Sequence, residues 1–129
     1  MLSQTLARFI ADTNYGNLSE EVVSFTKLCI LDWYGSALAG KDKAPVQMIV
    51  QMVKEMGGNP QATLITGEKT SAAQAALANG ASSHIVELDD IHKGSIIHAG
   101  TVVIPAALAV AEWKQKNGKD LIAAVAIGY

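Results

Sequence analysis

Apolar residues return every three or four positions along almost all of this 129-residue chain, and a single polar stretch of 17 residues breaks the rhythm. That period restricts the chain to packed helices, because a half-buried strand would alternate with a period of two. Leu2, Leu6, Phe9 and Ile10 form a first stripe, which residues 14–18 interrupt. Ser19 is a good N-cap, and Glu20 and Glu21 follow in a first turn where the helix dipole favours anions. The helix they open is expected to run to about Ala39 and stop at Gly40. Val22, Phe25, Cys29 and Trp33 line one of its faces, while Val23, Ile30, Tyr34 and Leu38 occupy others. A helix apolar on most sides packs on more than one neighbour.

Pro45 reads as the first-turn proline of a third helix that ends at Gly57. Val46, Ile49, Val50 and Val53 are its core stripe; Met48, Met52 and Met56 make a second stripe suited to core or subunit packing. After the turn Gly58-Asn59-Pro60, residues 62–66 suit a short extended piece. Ser71 is placed to cap a fourth, alanine-rich helix reaching about Ser83, whose small side chains let backbones approach deep in a bundle. A fifth helix is expected from Thr101 or Val102 to about Lys116, with Pro105 in or near its first turn. Asn117-Gly118 divides it from a sixth, starting around Asp120. The fold class expected is all-α, a multi-helix bundle.

Composition narrows the function classes. Half the residues are hydrophobic and 17% charged, against about 25% in an average domain, which excludes a disordered chain. A net charge of −2 leaves no basic footprint for nucleic acid and no polybasic patch for a membrane. One cysteine, Cys29, excludes a disulfide framework and a multi-cysteine zinc site. The start of the chain lacks a cationic region and places Asp12 where a signal peptide would continue its apolar core, so no secretory signal is expected. The longest uncharged run, Ser95 to Ala111, is broken by His98, Gly100, Thr101 and Pro105 and falls short of the ~20 apolar residues that span a bilayer. A cytoplasmic location is expected. So apolar a chain of this length also reads as part of a larger helical domain.

The polar stretch, residues 84–100, holds all three histidines, His84, His92 and His98, together with Glu87, Asp89, Asp90 and Lys93. Nowhere else do enough acids, bases and hydrogen-bonding groups converge to do chemistry. His98 stands just before a helix start, where the dipole disfavours a cation and so favours the neutral ring that serves as a general base. Each residue also has a structural alternative. His84, at a helix end, can donate to a backbone carbonyl; one of Asp89 and Asp90 reads as a turn or cap. Glu87 and Lys93 can pair at the surface, worth about 0.5 kcal/mol. The spacings His84-x-x-Glu87 and Asp90-x-His92 offer metal ligands but match no zinc signature. Phosphate-loop and nucleophile-elbow patterns are absent. Cys29 is expected on a buried helical face, away from nucleophilic work.

Residues 76–112, ALANGASSHIVELDDIHKGSIIHAGTVVIPAALAVAE, resemble the N-terminal helical region of the MmgE/PrpD family. The family pattern has an alanine-rich helix ending in Asn-Gly, a histidine, an Asp-x-Asp-Asp-Thr-His segment, a His-Pro-Gly turn and a proline-started helix ending in Ala-Glu. These fall on Asn79-Gly80, His84, the run from Glu87 to His92, His98-Ala99-Gly100, Pro105 and Ala111-Glu112. Leu31-Asp32 with Gly35, and the run from Gly118 to Tyr129, are similar to the flanking helices. The family includes 2-methylcitrate dehydratase, cis-aconitate decarboxylase and iminodisuccinate epimerase.

The resemblance implies a lyase or isomerase that moves a proton beside a carboxylate of a small di- or tricarboxylate. It further implies no metal and no organic cofactor, a homodimer, and a longer protein with a later helical part and an α+β lid. Carried onto this chain, His98, Asp90 and Glu87 are the candidate catalytic residues, and His92, Lys93 and His84 the candidate substrate-binding ones. Glu87 for the usual aspartate, Ile91 for threonine and Ala99 for proline imply a changed substrate or outcome. The alternative from another class is a non-catalytic helical module, or an inactive fragment. A pure interaction module, however, has no need to concentrate every histidine between two apolar helices.

Overall fold

The computed structural model describes all residues, Met1 to Tyr129. Six helices follow in order: α1 (Leu2–Asp12), α2 (Glu20–Gly40), α3 (Ala44–Met56), α4 (Ala72–His84), α5 (Ala99–Trp113) and α6 (Gly118–Gly128). A 3₁₀ turn, Tyr15–Asn17, follows α1, and the strands β1 (Ala62–Thr63) and β2 (Lys69–Thr70) form a small antiparallel hairpin between α3 and α4. The all-α expectation holds. No helix is long and apolar enough to cross a membrane.

Ser71 stands at the N-cap of α4, but its side chain caps no backbone N–H and donates instead to Gln74 Oε1; two other caps act as their side chains dictate. Ser19 Oγ accepts from the Val22 N–H, and Asn117 Oδ1 accepts from Lys119 and Asp120. Pro45 occupies the first turn of α3, and Gly57, at φ 65°, ends it. Two boundaries differ from the periodicity. α5 begins at Ala99, which puts Pro105 in its interior rather than its first turn. A proline there removes a hydrogen bond to the carbonyl four residues back, that of Thr101. The extended piece expected at residues 62–66 is a strand only at Ala62–Thr63, residues 65–66 forming the turn, and it has a partner strand at Lys69–Thr70, too short and polar to register as one.

Two apolar clusters hold the helices. Val46, Val50 and Val53 of α3 pack with Ala62, Leu64 and the alanines of α4; Trp33, Ala37, Ile104 and Val125 join α2, α5 and α6. α4 lies between α2, α3 and α5, as its alanines require. Gly40 allows α2 to meet α4: a Cβ there would stand 1.9 Å from the Ser82 carbonyl oxygen. Ser82 Oγ donates to the Ala37 carbonyl at 2.8 Å across the same contact. The hairpin is clamped from both sides. Asn79 of α4 accepts from the Ile65 N–H and donates to the Thr63 carbonyl, while Glu112 of α5 accepts from the Thr63 N–H and hydroxyl.

α2 is central only on one side. Trp33, Ser36 and Ala37 are buried, but Phe25, Leu28 and Leu31 are exposed, as are Leu2, Leu6, Phe9 and Ile10 of α1. Val22 and Phe25, expected on the buried face with Trp33, therefore face outward, and Cys29 is only partly covered.

Gly40→Ala should lower stability by about 2–3 kcal/mol, because the clash is with backbone that cannot rotate away. Gly35→Ala, on the same helix but exposed with nothing within 4 Å, should raise it by about 0.5–1 kcal/mol. Urea midpoints of the two variants test the pair. At the surface, the Lys54 ammonium and then the Thr66 hydroxyl draw the Glu68 carboxyl down from its ordinary 4.5 to about 2. A carboxylate lowered on folding contributes stability that is present above its unfolded value and lost as pH falls through its folded one. Acid titration between about pH 4.5 and 2 should therefore cost stability, by under about 1 kcal/mol for so exposed a pair. Lys54→Met should flatten that limb.

Candidate functional site

The site is made where the end of α4 meets the start of α5. Their approach depends on small groups: a Cβ on Gly80 would come within 3.0 Å of the Thr101 carbonyl oxygen, the one that Pro105 leaves without its helical donor. Thr101 Oγ1 donates to the Gly80 carbonyl at 2.9 Å and lies 2.7 Å from Ser83 Oγ. With the helices locked at that level, His84 at the last residue of α4 reaches His98 at the N-cap of α5. Their rings stand edge to face, centroids 4.8 Å apart.

Asp89 joins them. Its side chain is 1% exposed, and its Oδ2 lies 3.0 Å from Nδ1 of both His84 and His98. The two contacts differ. His84 Nδ1 hydrogen-bonds the carboxylate, with a second approach to Oδ1 at 3.3 Å. His98 Nδ1 is buried and makes no hydrogen bond, so its N–H direction misses the oxygen that it touches. Asp89's charge has no lysine or arginine beside it; the histidines are its partners.

The other candidates fall elsewhere. Asp90 Oδ1 accepts the Gly100 N–H at 2.9 Å, capping α5 from the loop. A Cβ on Gly100 would come within 2.7 Å of that oxygen and 2.8 Å of the Tyr129 hydroxyl, so only glycine admits both. Burial first, and then the charge of Asp90, push the Tyr129 phenol well above its ordinary range. Burial, followed by the same charge, raises the Cys29 thiol, which keeps it protonated and unreactive. His92 is exposed, its ring Nδ1 2.7 Å from Ser95 Oγ, and its backbone N–H donates to the Ile97 carbonyl to close a turn. Glu87 is exposed at φ 50°, and Lys93 is exposed and forms no ion pair.

Of the residues singled out in the sequence, the structure thus brings together His84 and His98. Asp90 is one contact away, on the helix start, and Glu87, His92 and Lys93 stay on the outer loop. Asp89 is the group that sequence reasoning passed over in favour of its neighbour. The doubled aspartate was the only signal, and which of two adjacent carboxylates turns inward depends on the path of the loop. A groove of about 380 Å³ opens beside His84 between α4 and α5, near the lower end of the ~300–1,000 Å³ usual for ligand pockets. A wider one of about 570 Å³ lies between the 3₁₀ turn, α5 and α6, but no histidine lines it.

Residues 4–129 match the MmgE/PrpD N-terminal domain. The cis-aconitate decarboxylase-like protein oryM of Aspergillus oryzae is 24% identical over 132 residues, covering 96% of this chain and 27% of that protein. Cis-aconitate decarboxylase of Aspergillus terreus is 28% identical over 119 residues, covering 88% of this chain and 24% of that protein. The chain thus spans about a quarter of the length of these relatives. No solved structure matches. The match covers nearly every residue described, including both helices that carry the paired histidines, and the chain belongs to the MmgE/PrpD N-terminal domain family.

Proposed function

We propose that this chain supplies the histidine face of a lyase or isomerase site that moves a proton beside a carboxylate of a small di- or tricarboxylate, with a cis-aconitate-like tricarboxylate as the first substrate to try. The observation that carries the reading is the buried carboxylate shared by two imidazoles at the joint of α4 and α5. The names of the two relatives support the substrate class.

His98 is the proton carrier in this reading. A base at a carbon next to a carboxylate must accept a proton and be stabilised while it holds it. Asp89 puts a negative charge 3.0 Å from His98 Nδ1, on the ring edge opposite Nε2, which leaves Nε2 for the substrate. Neutral His98 takes the proton from carbon, and the bonding pair moves into the adjacent carboxylate as an enolate-like charge. From there water leaves, or a proton returns to carbon from the imidazolium. In a decarboxylation no proton is taken from carbon first: the C–C pair of the departing carboxylate flows into the remaining unsaturated acid, and protonated His98 supplies the one proton that completes the product. His84 fixes the other side of Asp89 and borders the groove beside the site. Asp90 acts indirectly, by holding the start of α5 and hence His98. His92 and Lys93 belong to the outer loop, where they can meet the carboxylates of a bound substrate; Glu87 shares that loop as an acid, which repels those carboxylates and can serve there only in proton transfer.

Lys93 is the one cation in the stretch of residues 84–100, too few to hold two or three carboxylates and an enolate charge. The remaining donors come, in this reading, from a protein of its relatives' length. The exposed apolar faces of α1 and α2 pack against that remainder and a second copy.

Two expectations follow from these roles. In a relative-length protein containing this chain, assayed on cis-aconitate, 2-methylcitrate and iminodisuccinate, His98→Ala should lower kcat by about 10²–10⁴-fold. Asp89→Asn should lower kcat by on the order of 100-fold and reshape its pH profile while KM changes little. Retained kcat in His98→Ala would sink the assigned role. The 129 residues assayed alone should show no turnover of any of the three; measurable turnover would overturn the view that the cationic half of the site lies outside them.

A further inference from the structure

The start of α5 has little support of its own. The first N–H groups of a helix find no partner inside it, and the N-cap residue here, His98, makes no side-chain cap. Pro105 takes one more bond away from the same turn. What holds the helix start is Asp90, whose Oδ1 accepts the Gly100 N–H at 2.9 Å. No lysine or arginine pairs with that carboxylate. Its side-chain partner is the Tyr129 hydroxyl, which hydrogen-bonds it and also meets the Cys29 thiol. An ionised carboxylate only accepts, so the phenol donates to Asp90 and the thiol donates to the phenol. Gly128 lets α6 carry the phenol there: a Cβ on it would stand 2.5 Å from Val103 Cγ1 of α5. The Tyr129 hydroxyl ends 2.8 Å from the Cβ that Gly100 lacks, with Asp90 Oδ1 2.7 Å from the same point.

We propose that Tyr129 is a positioning residue, whose hydroxyl holds the Asp90 carboxylate on the Gly100 N–H and so sets where His98 stands at the head of α5. Residues 29, 90, 100 and 129 come from α2, the polar loop, α5 and α6, and they meet at this one point. The ring of Tyr129 packs α6, while its oxygen governs the loop carboxylate. Without that oxygen, Asp90 is free to turn to water, and the Gly100 N–H loses its acceptor. A helix start that drifts by about 1 Å carries His98 with it, and misplacement of that size can cost a reaction about 100-fold. Because Tyr129 acts through Asp90 and not on the substrate, its loss falls on kcat and spares KM. This role rests on the reading of His98 as proton carrier; the contact of Tyr129 with Asp90 does not.

Tyr129→Phe removes only the oxygen, so the ring still packs. In the relative-length protein this variant should lower kcat on the order of 10-fold with KM little changed, as befits one lost hydrogen bond to a charged group. Amide hydrogen exchange, read by mass spectrometry on peptides covering residues 94–104, should quicken at the start of α5 and stay as it was in the rest of the helix. Asp90→Asn should move the same two readings. The double variant should be no worse than Asp90→Asn alone, since both side chains act through one N–H. Tyr34→Phe, at an exposed tyrosine of α2, should change neither reading. Unchanged exchange in Tyr129→Phe would overturn the positioning role. So would additive losses in the double variant, or faster exchange with kcat intact. Retained kcat in His98→Ala removes the proton-transfer reading instead, and the exchange comparison, which needs no turnover, still decides whether Tyr129 holds the helix start.

Discussion

The closeness of α4 to α5 at Gly80 and Thr101 sets everything else in this molecule. Two helix backbones can meet there because one residue has no side chain and because Pro105 frees the carbonyl that faces it. Ser83 and Thr101 complete the contact by hydrogen bonding to each other and to Gly80, which leaves their hydroxyls satisfied inside an apolar bundle. One turn beyond this joint, the last residue of α4 and the N-cap of α5 are histidines. Their meeting is a consequence of helix packing rather than of the loop between them.

The loop contributes two carboxylates with separate duties. Asp90 turns to the start of α5 and fixes it through Gly100, with its charge felt by Tyr129 and Cys29. Asp89 turns under the histidines and is buried. Of the two, only Asp89 lies against imidazole nitrogens, 3.0 Å from Nδ1 of each histidine. The outer part of the loop, with Glu87, His92 and Lys93, presents polar groups without enclosing them.

Much of this was legible in the sequence. Ser19, Pro45, Gly57 and Asn117 mark helix ends by short-range chemistry, and the structure keeps each of them. The segment carrying the site was evident from the concentration of every histidine in 17 residues. The start of α5 was less so. His98-Ala99-Gly100 has no side-chain cap of its own, and the carboxylate that stabilises this helix start comes from Asp90, ten residues before Gly100. Asn79 and Glu112 belong to the pattern that resembles the family, and the pattern assigns them no contact. Both instead clamp the hairpin through Thr63, a role that needs contacts across 16 and 49 residues of chain.

By itself, then, the amino-acid sequence determined the helices, most of their ends, the family and the polar segment where chemistry could occur. Each of those depends on neighbours within a turn or two, or on motifs written in order. Tertiary structure alone decided that His84 and His98 touch, that Asp89 and not Asp90 lies between them, and that His92 stays outside. The faces of α2 were decided there too, with Trp33 buried and Phe25 exposed. These outcomes depend on which backbone can approach which. The approach is governed by the absence of a Cβ at Gly40 and Gly80, whose effect is felt only when the opposing helix is in place.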